Sequence, residues 1–94
     1  MSIDRTDLRY LDAMVNFGSH IPPERWGTTN WATTDGDGYF LARMMELERK
    51  GLVVSGRIEG ELQYWHATDA GIALIGLPPN ARRRALAAAK EVSR

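Results

Sequence analysis

Two segments in the first half of the chain carry apolar residues at helical spacing. In each segment the apolar positions recur every three or four residues and therefore fall on one side of a helix. These positions are Leu8, Leu11 and Val15 in the first segment, and Phe40, Met44 and Leu47 in the second. Asp4 or Thr6 caps the first predicted helix, which runs to about Phe17. Asp37 caps the second, and Gly51 ends it because glycine readily adopts the positive φ of a helix terminus.

The stretch between these helices has a weaker pattern. Ile21 precedes a proline and is thereby restricted to extended geometry, which indicates a short strand or a turn. Residues 22–26 favour the start of a further helix, because proline is well tolerated in a first helical turn. Trp26 and Trp31 are five residues apart and would not share a helix face. They are candidates for stacking on single-stranded nucleic acid, but we expect the more common role, filling gaps in the core.

After the helix that ends at Gly51, the spacing changes from helical to alternating. One strand is predicted from about residue 53 and another over residues 61–67, joined by a turn near Gly60. Alternation places side chains of the second strand on two faces, and we expect Trp65 to point into the core.

A short helix and a longer one complete the chain. Thr68 caps the short helix, and Gly71 inside it indicates close packing, since glycine in a helix costs about 1 kcal/mol relative to alanine. A pair of prolines breaks the chain before the last helix, which Asn80 caps. This last helix has few apolar residues to bury: Ala81, Ala85, Leu86 and Val92. We therefore expect residues 78–94 to be a dimer-contact helix or a terminal arm, attached to a domain of residues 1–77.

Residues 39–71 combine these features in a recognisable order: helix, short strand, glycine-bracketed turn, strand and capped helix. With the spacing of Lys50-Gly51-Leu52-Val53 and Thr68-x-x-Gly71, this order resembles the winged helix-turn-helix domains of MarR-type regulators over roughly residues 5–76. The resemblance implies a mainly α fold with a small β-hairpin wing. Three helices precede the wing, one or two follow it, and a third short strand is optional. It also implies sequence-specific binding of double-stranded DNA by a homodimer that regulates transcription.

In such domains a helix enters the major groove of DNA, where its N-terminal half reaches the edges of the bases. By resemblance, the helix before Gly51 takes that role, with Tyr39 and Arg43 as base readers and Thr33 and Thr34 as donors to phosphate. The expected DNA-binding residues, including phosphate contacts and the wing, are Thr33, Thr34, Tyr39, Arg43, Lys50 and Arg57. Glu46 is spaced to pair with Arg43 and Lys50, which would reduce the positive charge available to phosphates. The competing interpretation is a packed helix whose surface charges neutralise one another.

The charge of the chain supports DNA binding less than the order of its elements does. Twelve Lys and Arg residues balance twelve Asp and Glu residues, whereas DNA-binding domains usually carry a basic excess. Residues 1–68 hold seven basic and ten acidic groups, so the predicted DNA-reading part is acidic. The three arginines at residues 82–84 form a basic cluster, which is either a solvated helix start or a contact for an anionic partner.

A second functional interpretation follows from this charge balance. The chain could be a winged-helix protein-interaction module, such as a small phage- or mobile-element-type regulator or inhibitor. Its neutral surface would then bind a protein partner instead of DNA. In that case the contacts would come from Ile58, Tyr64 and the exposed face of the helix before Gly51.

Other kinds of chemistry find little support in the sequence. There is no cysteine, which excludes disulfides and thiolate metal sites. The acidic turn at Gly38 puts Met44 where a calcium loop requires glutamate, and His20 and His66 lack the spacing of a zinc site. No catalytic motif, signal-peptide pattern or apolar run of about 20 residues is present. We expect no enzyme activity, no cofactor, no membrane association and a cytoplasmic location.

Overall fold

The computed structural model describes residues 3–36 and 38–92, the last two by their backbone alone. This part of the chain forms four α-helices, three β-strands and one 3₁₀ turn. In chain order the elements are α1 (Arg5–Met14), the 3₁₀ turn (Pro23–Arg25), β1 (Ala32–Asp35), α2 (Tyr39–Arg49), β2 (Val53–Glu59), β3 (Leu62–Ala67), α3 (Asp69–Leu74) and α4 (Pro79–Val92). None of the helices in the described residues is long and apolar enough to cross a membrane.

The three strands form one antiparallel sheet in the order β1–β3–β2, with β3 in the centre. The predicted hairpin is therefore present, and β1 adds a third strand to it. Between Ser55 and Ile58, β2 carries one residue more than β3, so that Gly56 and Arg57 lie opposite Tyr64. Such a β-bulge changes the direction in which the following side chains point.

One face of the sheet packs against helices to form the core. Trp65 lies on that face and is buried, as predicted, and its indole N–H donates to Oγ1 of Thr34 at 2.9 Å. Tyr10 of α1 and Phe40 of α2 meet edge to face, with ring centroids 4.9 Å apart. Most of the remaining core comes from the two predicted helical stripes and from α3: Leu11, Met14, Val15, Met44, Leu47 and Ile72.

Three helices end with a residue of positive φ and a backbone hydrogen bond that spans six residues. The positive-φ residues are Asn16 (φ 56°), Gly51 (φ 77°) and Gly76 (φ 75°). After α2, the N–H of Leu52 donates to the carbonyl oxygen of Leu47 at 3.0 Å. Gly51 therefore ends its helix as predicted. α1 stops before the predicted end at Phe17, because Asn16 already adopts the left-handed conformation.

The N-cap residues of α1 and α2 agree only in part with those predicted from the sequence. Asp4 occupies the N-cap position of α1, but its side chain makes no capping hydrogen bond. Asp37, the predicted cap of α2, lies outside the described residues. Gly38 holds the N-cap position of α2.

The start of α3 confirms the predicted cap. Oγ1 of Thr68 accepts the N–H of Gly71 at 3.2 Å and donates to the carbonyl oxygen of Gly51 at 2.6 Å. A Cβ atom on Gly71 would lie 2.2 Å from the carbonyl oxygen of Leu52, so glycine is required where α3 approaches the hairpin. The hydroxyl of Thr68 thus joins the end of α2 to the start of α3.

The predicted helix at residues 22–26 is wrong, since only the 3₁₀ turn forms there. Trp26 leaves helical geometry with ψ 137°, and Gly27 follows with φ 76°, so the chain cannot continue as a helix. The indole N–H of Trp26 donates to the carbonyl oxygens of Gly18 and Ile21, at 3.1 and 3.0 Å. Trp26 therefore fills a gap beneath this turn, in the role that the sequence predicted for it.

The chain after this turn runs extended along the end of α1. The N–H of Gly27 donates to the carbonyl oxygen of Val15 at 2.7 Å, and that of Trp31 to Met14 at 3.1 Å. This extended connection leads directly into β1. The extra strand therefore lies after residue 31, and the expected position near Ile21 is a turn. As a consequence, α2 follows a strand and not another helix.

The first half of α4 belongs to the core and is not the terminal arm suggested by the sequence. Ala81 and Ala85 are buried, and Leu86 packs against the core from its edge. The helix fits closely because Gly27 has no side chain: a Cβ atom there would lie 2.1 Å from the carbonyl oxygen of Ala81. Contacts thus cross the predicted boundary between domain and terminal helix. The side chain of Val92 lies outside the described residues, and a role of α4 in a homodimer stays a prediction.

A buried amide connects the extended segment to the sheet and to α4. Nδ2 of Asn30 donates to the carbonyl oxygens of Ala67 and Ala85, at 3.0 and 3.1 Å. Its Oδ1 accepts the N–H of Ala67 at 2.7 Å, and its own carbonyl oxygen lies 2.6 Å from Nδ1 of His66. Asn30 therefore satisfies backbone groups of β3 and of α4 at the same time.

Replacing Asn30 with alanine should strongly destabilise the fold. The change leaves a buried N–H and two carbonyl oxygens without the amide, and each unsatisfied buried group costs about 1–3 kcal/mol. We expect a loss of about 3 kcal/mol or more in the free energy of unfolding, measured by urea denaturation with tryptophan fluorescence. The exposed Asn80→Ala serves as control, because α4 begins at Pro79 and Asn80 therefore lies inside the helix and is not its cap as predicted. It should change the free energy of unfolding by less than about 0.5 kcal/mol. An Asn30→Ala protein as stable as the parent would show that this amide is not an anchor.

Thr68→Ala should cost about 1 kcal/mol of stability, because it removes both hydrogen bonds of the capping hydroxyl. Thr68→Ser keeps the hydroxyl and should retain most of that energy. Thermal unfolding followed by circular dichroism distinguishes the two variants. Equal losses in both would mean that the methyl group, and not the cap, stabilises this junction.

Candidate interaction surfaces

The residues predicted to bind DNA are distributed over several surfaces. Thr33 and Thr34 are neighbours in β1 and therefore point to opposite faces of the sheet. Thr34 is buried and accepts the indole N–H of Trp65, which places it in the core and not at a phosphate. Tyr39 is exposed at the start of α2, and Lys50 lies at the other end of that helix. Of these predicted DNA contacts, Tyr39 and Lys50 lie at opposite ends of α2, whereas Thr33 and Thr34 lie on β1.

Arg43, the predicted base reader, is bound within the protein. Its guanidinium donates to both carboxylate oxygens of Asp7 on α1, and the Nε–Oδ1 distance is 3.0 Å. The side chain of Asp7 is fully buried, and that of Arg43 is 26% exposed. Hydrogen bonds to Asp7 raise the pKa of the Arg43 guanidinium. This bidentate ion pair holds α2 against α1 and uses the charge that was expected to reach DNA.

The predicted pairing of Glu46 with Arg43 is therefore wrong. Glu46 instead binds Arg49, one turn further along the exposed side of α2. The sequence contained a signal for the true partner, because Asp7 lies four residues before Leu11, within the buried stripe of α1. An acidic residue at a core position needs a cation, and only the packing of the two helices shows which one supplies it.

Other arginines also bind groups of their own chain. Each guanidinium contacts a nearby carboxylate, amide oxygen or backbone carbonyl oxygen. The contacts are Arg57 with Glu59 at 3.0 Å, Arg82 with Asp69 at 2.6 Å, Arg83 with Asn80, and Arg84 with the carbonyl oxygen of Trp26 at 2.8 Å. The arginines of residues 82–84 are consequently directed to three different local contacts, of which only the one to Asp69 is an ion pair.

A groove of about 360 Å³ lies between α2 and the hairpin. Leu41 and Met45 line it from α2, and Gln63 and Trp65 line it from β3. Ile58 pairs with Gln63 and so points to the same side of the sheet. Met45 is 54% exposed and Ile58 is 71% exposed, so two exposed apolar side chains lie on this side of the sheet. The groove together with Met45 and Ile58 is called the α2–hairpin surface below.

Carboxylates border the α2–hairpin surface. Glu48 of α2 and Glu61 of the hairpin turn both line the groove. Glu48 also accepts the backbone N–H of Ser55 at 3.0 Å, so α2 satisfies a donor at the edge of β2. Glu61 is exposed and has no hydrogen bond to another described residue. The surface therefore combines exposed apolar side chains with two carboxylates, unlike a phosphate-binding surface.

The opposite face of the sheet, called the outer face below, carries an aromatic pair. Trp31 is 45% exposed, which contradicts its predicted role as a core plug. Its ring centroid lies 5.9 Å from that of Tyr64, with an interplanar angle of 43°. The guanidinium of Arg57 covers the Tyr64 ring at 4.8 Å from its centroid. The bulge that brings Arg57 to this face also contains Gly56, where a Cβ atom would lie 2.5 Å from Nε2 of His66.

A wider cavity of about 550 Å³ lies at the end of α1. It is lined by polar residues that include Arg9, Asp12 and His20, and burial raises the pKa of the Asp12 carboxyl. In the described part of the chain, no three His, Asp or Glu side chains are grouped to hold a metal ion.

The chain matches no protein-family model, no curated protein and no solved structure. The resemblance to MarR-type regulators therefore stays a prediction. The α2–hairpin surface and the outer face are the two surfaces from which a function is inferred.

Arg43→Ala should reduce stability and not merely alter a binding surface. It leaves the buried carboxylate of Asp7 without its counter-charge, which is one of the more costly single changes in a core. We expect the melting temperature to fall by about 10 °C or more. Arg49→Ala on the same helix removes only an exposed ion pair and should change it by less than about 3 °C. Similar small shifts for both variants would show that the Arg43 pair is dispensable for folding.

Proposed function

We propose that this chain is a winged-helix-like module that binds a protein partner through its α2–hairpin surface. Support for the fold comes from the order of α2, the hairpin and the capped α3, together with the strand order β1–β3–β2. The arrangement departs from a helix-turn-helix in one respect, because a strand precedes α2. We therefore treat the domain as a variant of the winged helix with a single helix between its first two strands.

The observation that carries the proposal is the pairing of the cations around α2. Binding to duplex DNA requires Lys and Arg side chains that can release counterions from phosphates. Arg43 is bound to buried Asp7, and Arg57 to Glu59 and the Tyr64 ring. A phosphate backbone at the groove would also meet the carboxylates of Glu48 and Glu61.

The exposed residues of this surface are those that protein interfaces favour. The central patch of an interface is depleted in charge and enriched in methionine and aromatic residues. Met45 lines the groove from α2, and Leu41 with Trp65 forms its less exposed part. Ile58 is a second exposed apolar anchor, which projects from β2 on the same side of the sheet as the groove residue Gln63. Because carboxylates border these anchors, a complementary partner presents an apolar side chain flanked by basic residues.

Duplex DNA is a second candidate, which one observation favours. The guanidinium of Arg49 is 78% exposed, and its ion pair with Glu46 is a surface pair that contributes little energy. Arg49 can therefore exchange Glu46 for a phosphate at small cost. Tyr39 is also exposed on α2 and would contact the same DNA, as predicted from the sequence. In this case a homodimer would supply two such helices.

Site-specific photo-crosslinking tests the proposed surface in cells that produce the protein natively. A photo-reactive amino acid at the exposed Ala42 of α2 lies beside the groove and leaves its anchors intact. On this background, Met45→Ser and Ile58→Ser should each lower the yield of a specific crosslinked protein by about tenfold, as expected for interface anchors. Leu74→Ser is the matched control, since Leu74 is a similarly exposed apolar residue on α3. It should leave the yield unchanged.

Fluorescence anisotropy with a random-sequence duplex provides the opposing measurement. The proposal predicts no measurable binding at an ionic strength of about 0.15 M. Duplex binding at that salt, lost in an Arg49→Ala, Lys50→Ala double variant, would instead establish DNA as the partner. A crosslink that Leu74→Ser reduces as much as Met45→Ser would show that the groove is not the docking surface.

A further inference from the structure

The aromatic pair on the outer face has a fixed position. The backbone N–H of Trp31 donates to the carbonyl oxygen of Met14 at 3.1 Å, and the preceding residue is the buried Asn30. These contacts fix the backbone at Trp31, and its indole ring lies against the ring of Tyr64 while nearly half of the residue is exposed. Its indole N–H makes no hydrogen bond to any described residue. Trp31 thus offers a rigid apolar ring and an available donor.

The far end of the same face is acidic. Leu62 of β3 pairs with Asp35 on β1 and with Glu59 on β2. Cross-strand partners point to the same side, so two carboxylates flank one exposed leucine. Glu59 already binds Arg57. The carboxylate of Asp35 is exposed, has no hydrogen bond to another described residue, and is available to a cation.

We propose that the outer face binds an extended, proline-rich segment of another protein, with a Lys or Arg of that segment beside Asp35. The aromatic pair would hold the prolines, and the indole N–H of Trp31 would donate to a carbonyl oxygen of the segment. The proposal does not depend on the α2–hairpin surface, which lies on the opposite side of the sheet.

The geometry of the rings suits a polyproline II helix. This helix is extended, has few conformations to lose on binding, and exposes unpaired carbonyl oxygens. Its recognition generally uses grooves lined by aromatic side chains. The rings of Trp31 and Tyr64 lie against each other, with centroids 5.9 Å apart and an interplanar angle of 43°. Together they present an exposed aromatic surface, with the indole N–H of Trp31 as a donor for a carbonyl oxygen of such a segment.

The charges on this face favour a peptide over single-stranded nucleic acid. Single-strand binding grooves combine stacking rings with cations that follow the phosphates. The guanidinium of Arg57 is already engaged by Glu59 and Tyr64. Asp35 would repel phosphates at the far end of the face, whereas it attracts a basic residue of a peptide.

The test uses the full chain and three fluorescent probes measured by anisotropy. The first probe is an oligoproline peptide that ends in two arginines, and the second is the same peptide ending in two glutamates. The third is a short oligothymidine. The arginine peptide should bind more tightly than the glutamate peptide by about tenfold, and oligothymidine should not bind.

Two variants connect this binding to the outer face. Trp31→Ala should weaken binding of the arginine peptide by about tenfold or more, because it removes the exposed ring and its donor. Asp35→Asn should remove most of the difference between the two peptides while preserving the fold. Tyr39→Ala is the matched control, since this exposed aromatic residue lies on α2 and should change affinity by less than about twofold. Met45→Ser should also leave peptide binding unchanged, which separates this site from the α2–hairpin surface.

Four outcomes would overturn the proposal. The first is a failure of both peptides to bind a folded parent protein at millimolar concentration. The second is an equal loss of affinity in Trp31→Ala and Tyr39→Ala, and the third is an unchanged preference between the peptides in Asp35→Asn. The fourth is tight oligothymidine binding that Trp31→Ala abolishes, which would assign the face to single-stranded nucleic acid. Folding of each variant is verified by its thermal unfolding curve.

Discussion

The fold depends on one buried amide at the point where an irregular segment enters the sheet. Asn30 gives the backbone of β3 and α4 hydrogen-bond partners that neither element offers the other directly. Because the amide can satisfy these groups in only one position, it also fixes where β1 begins. The exposed Trp31 follows immediately, so the same contact that completes the core determines how the outer face is presented.

A second constraint is the internal use of charge. The ion pair between Asp7 and Arg43 joins α1 to α2, and an acidic residue inside a helical stripe makes this cation necessary for the fold. An exposed arginine at position 43 would leave Asp7 buried and uncompensated. The requirement for stability thus competes with the requirement of a DNA-reading helix. In this chain Arg43 serves stability, and the groove beside α2 carries exposed apolar side chains and carboxylates.

Local signals made part of this structure predictable. The stop at Gly51 and the cap at Thr68 depend on residues within one or two turns of each other, and a glycine inside a helix is itself a local sign of the close approach at Gly71. All three predictions are confirmed. The segment around Trp26 and Trp31 was predicted less well, because its conformation comes from hydrogen bonds to the distant end of α1. The same holds for α4, whose small residues pack only because Gly27 provides space for them. The partner of Arg43 also required knowledge of how two helices meet.

The bulge in β2 determines which side of the sheet the following side chains face. In an uninterrupted strand, Arg57 would share a face with Ser55, and Ile58 would point away from the groove. The one additional residue reverses both assignments, giving the apolar side chain to one surface and the cation to the other. Insertions or deletions of a single residue at this point would therefore exchange chemistry between two otherwise unconnected surfaces, while leaving the hairpin itself intact.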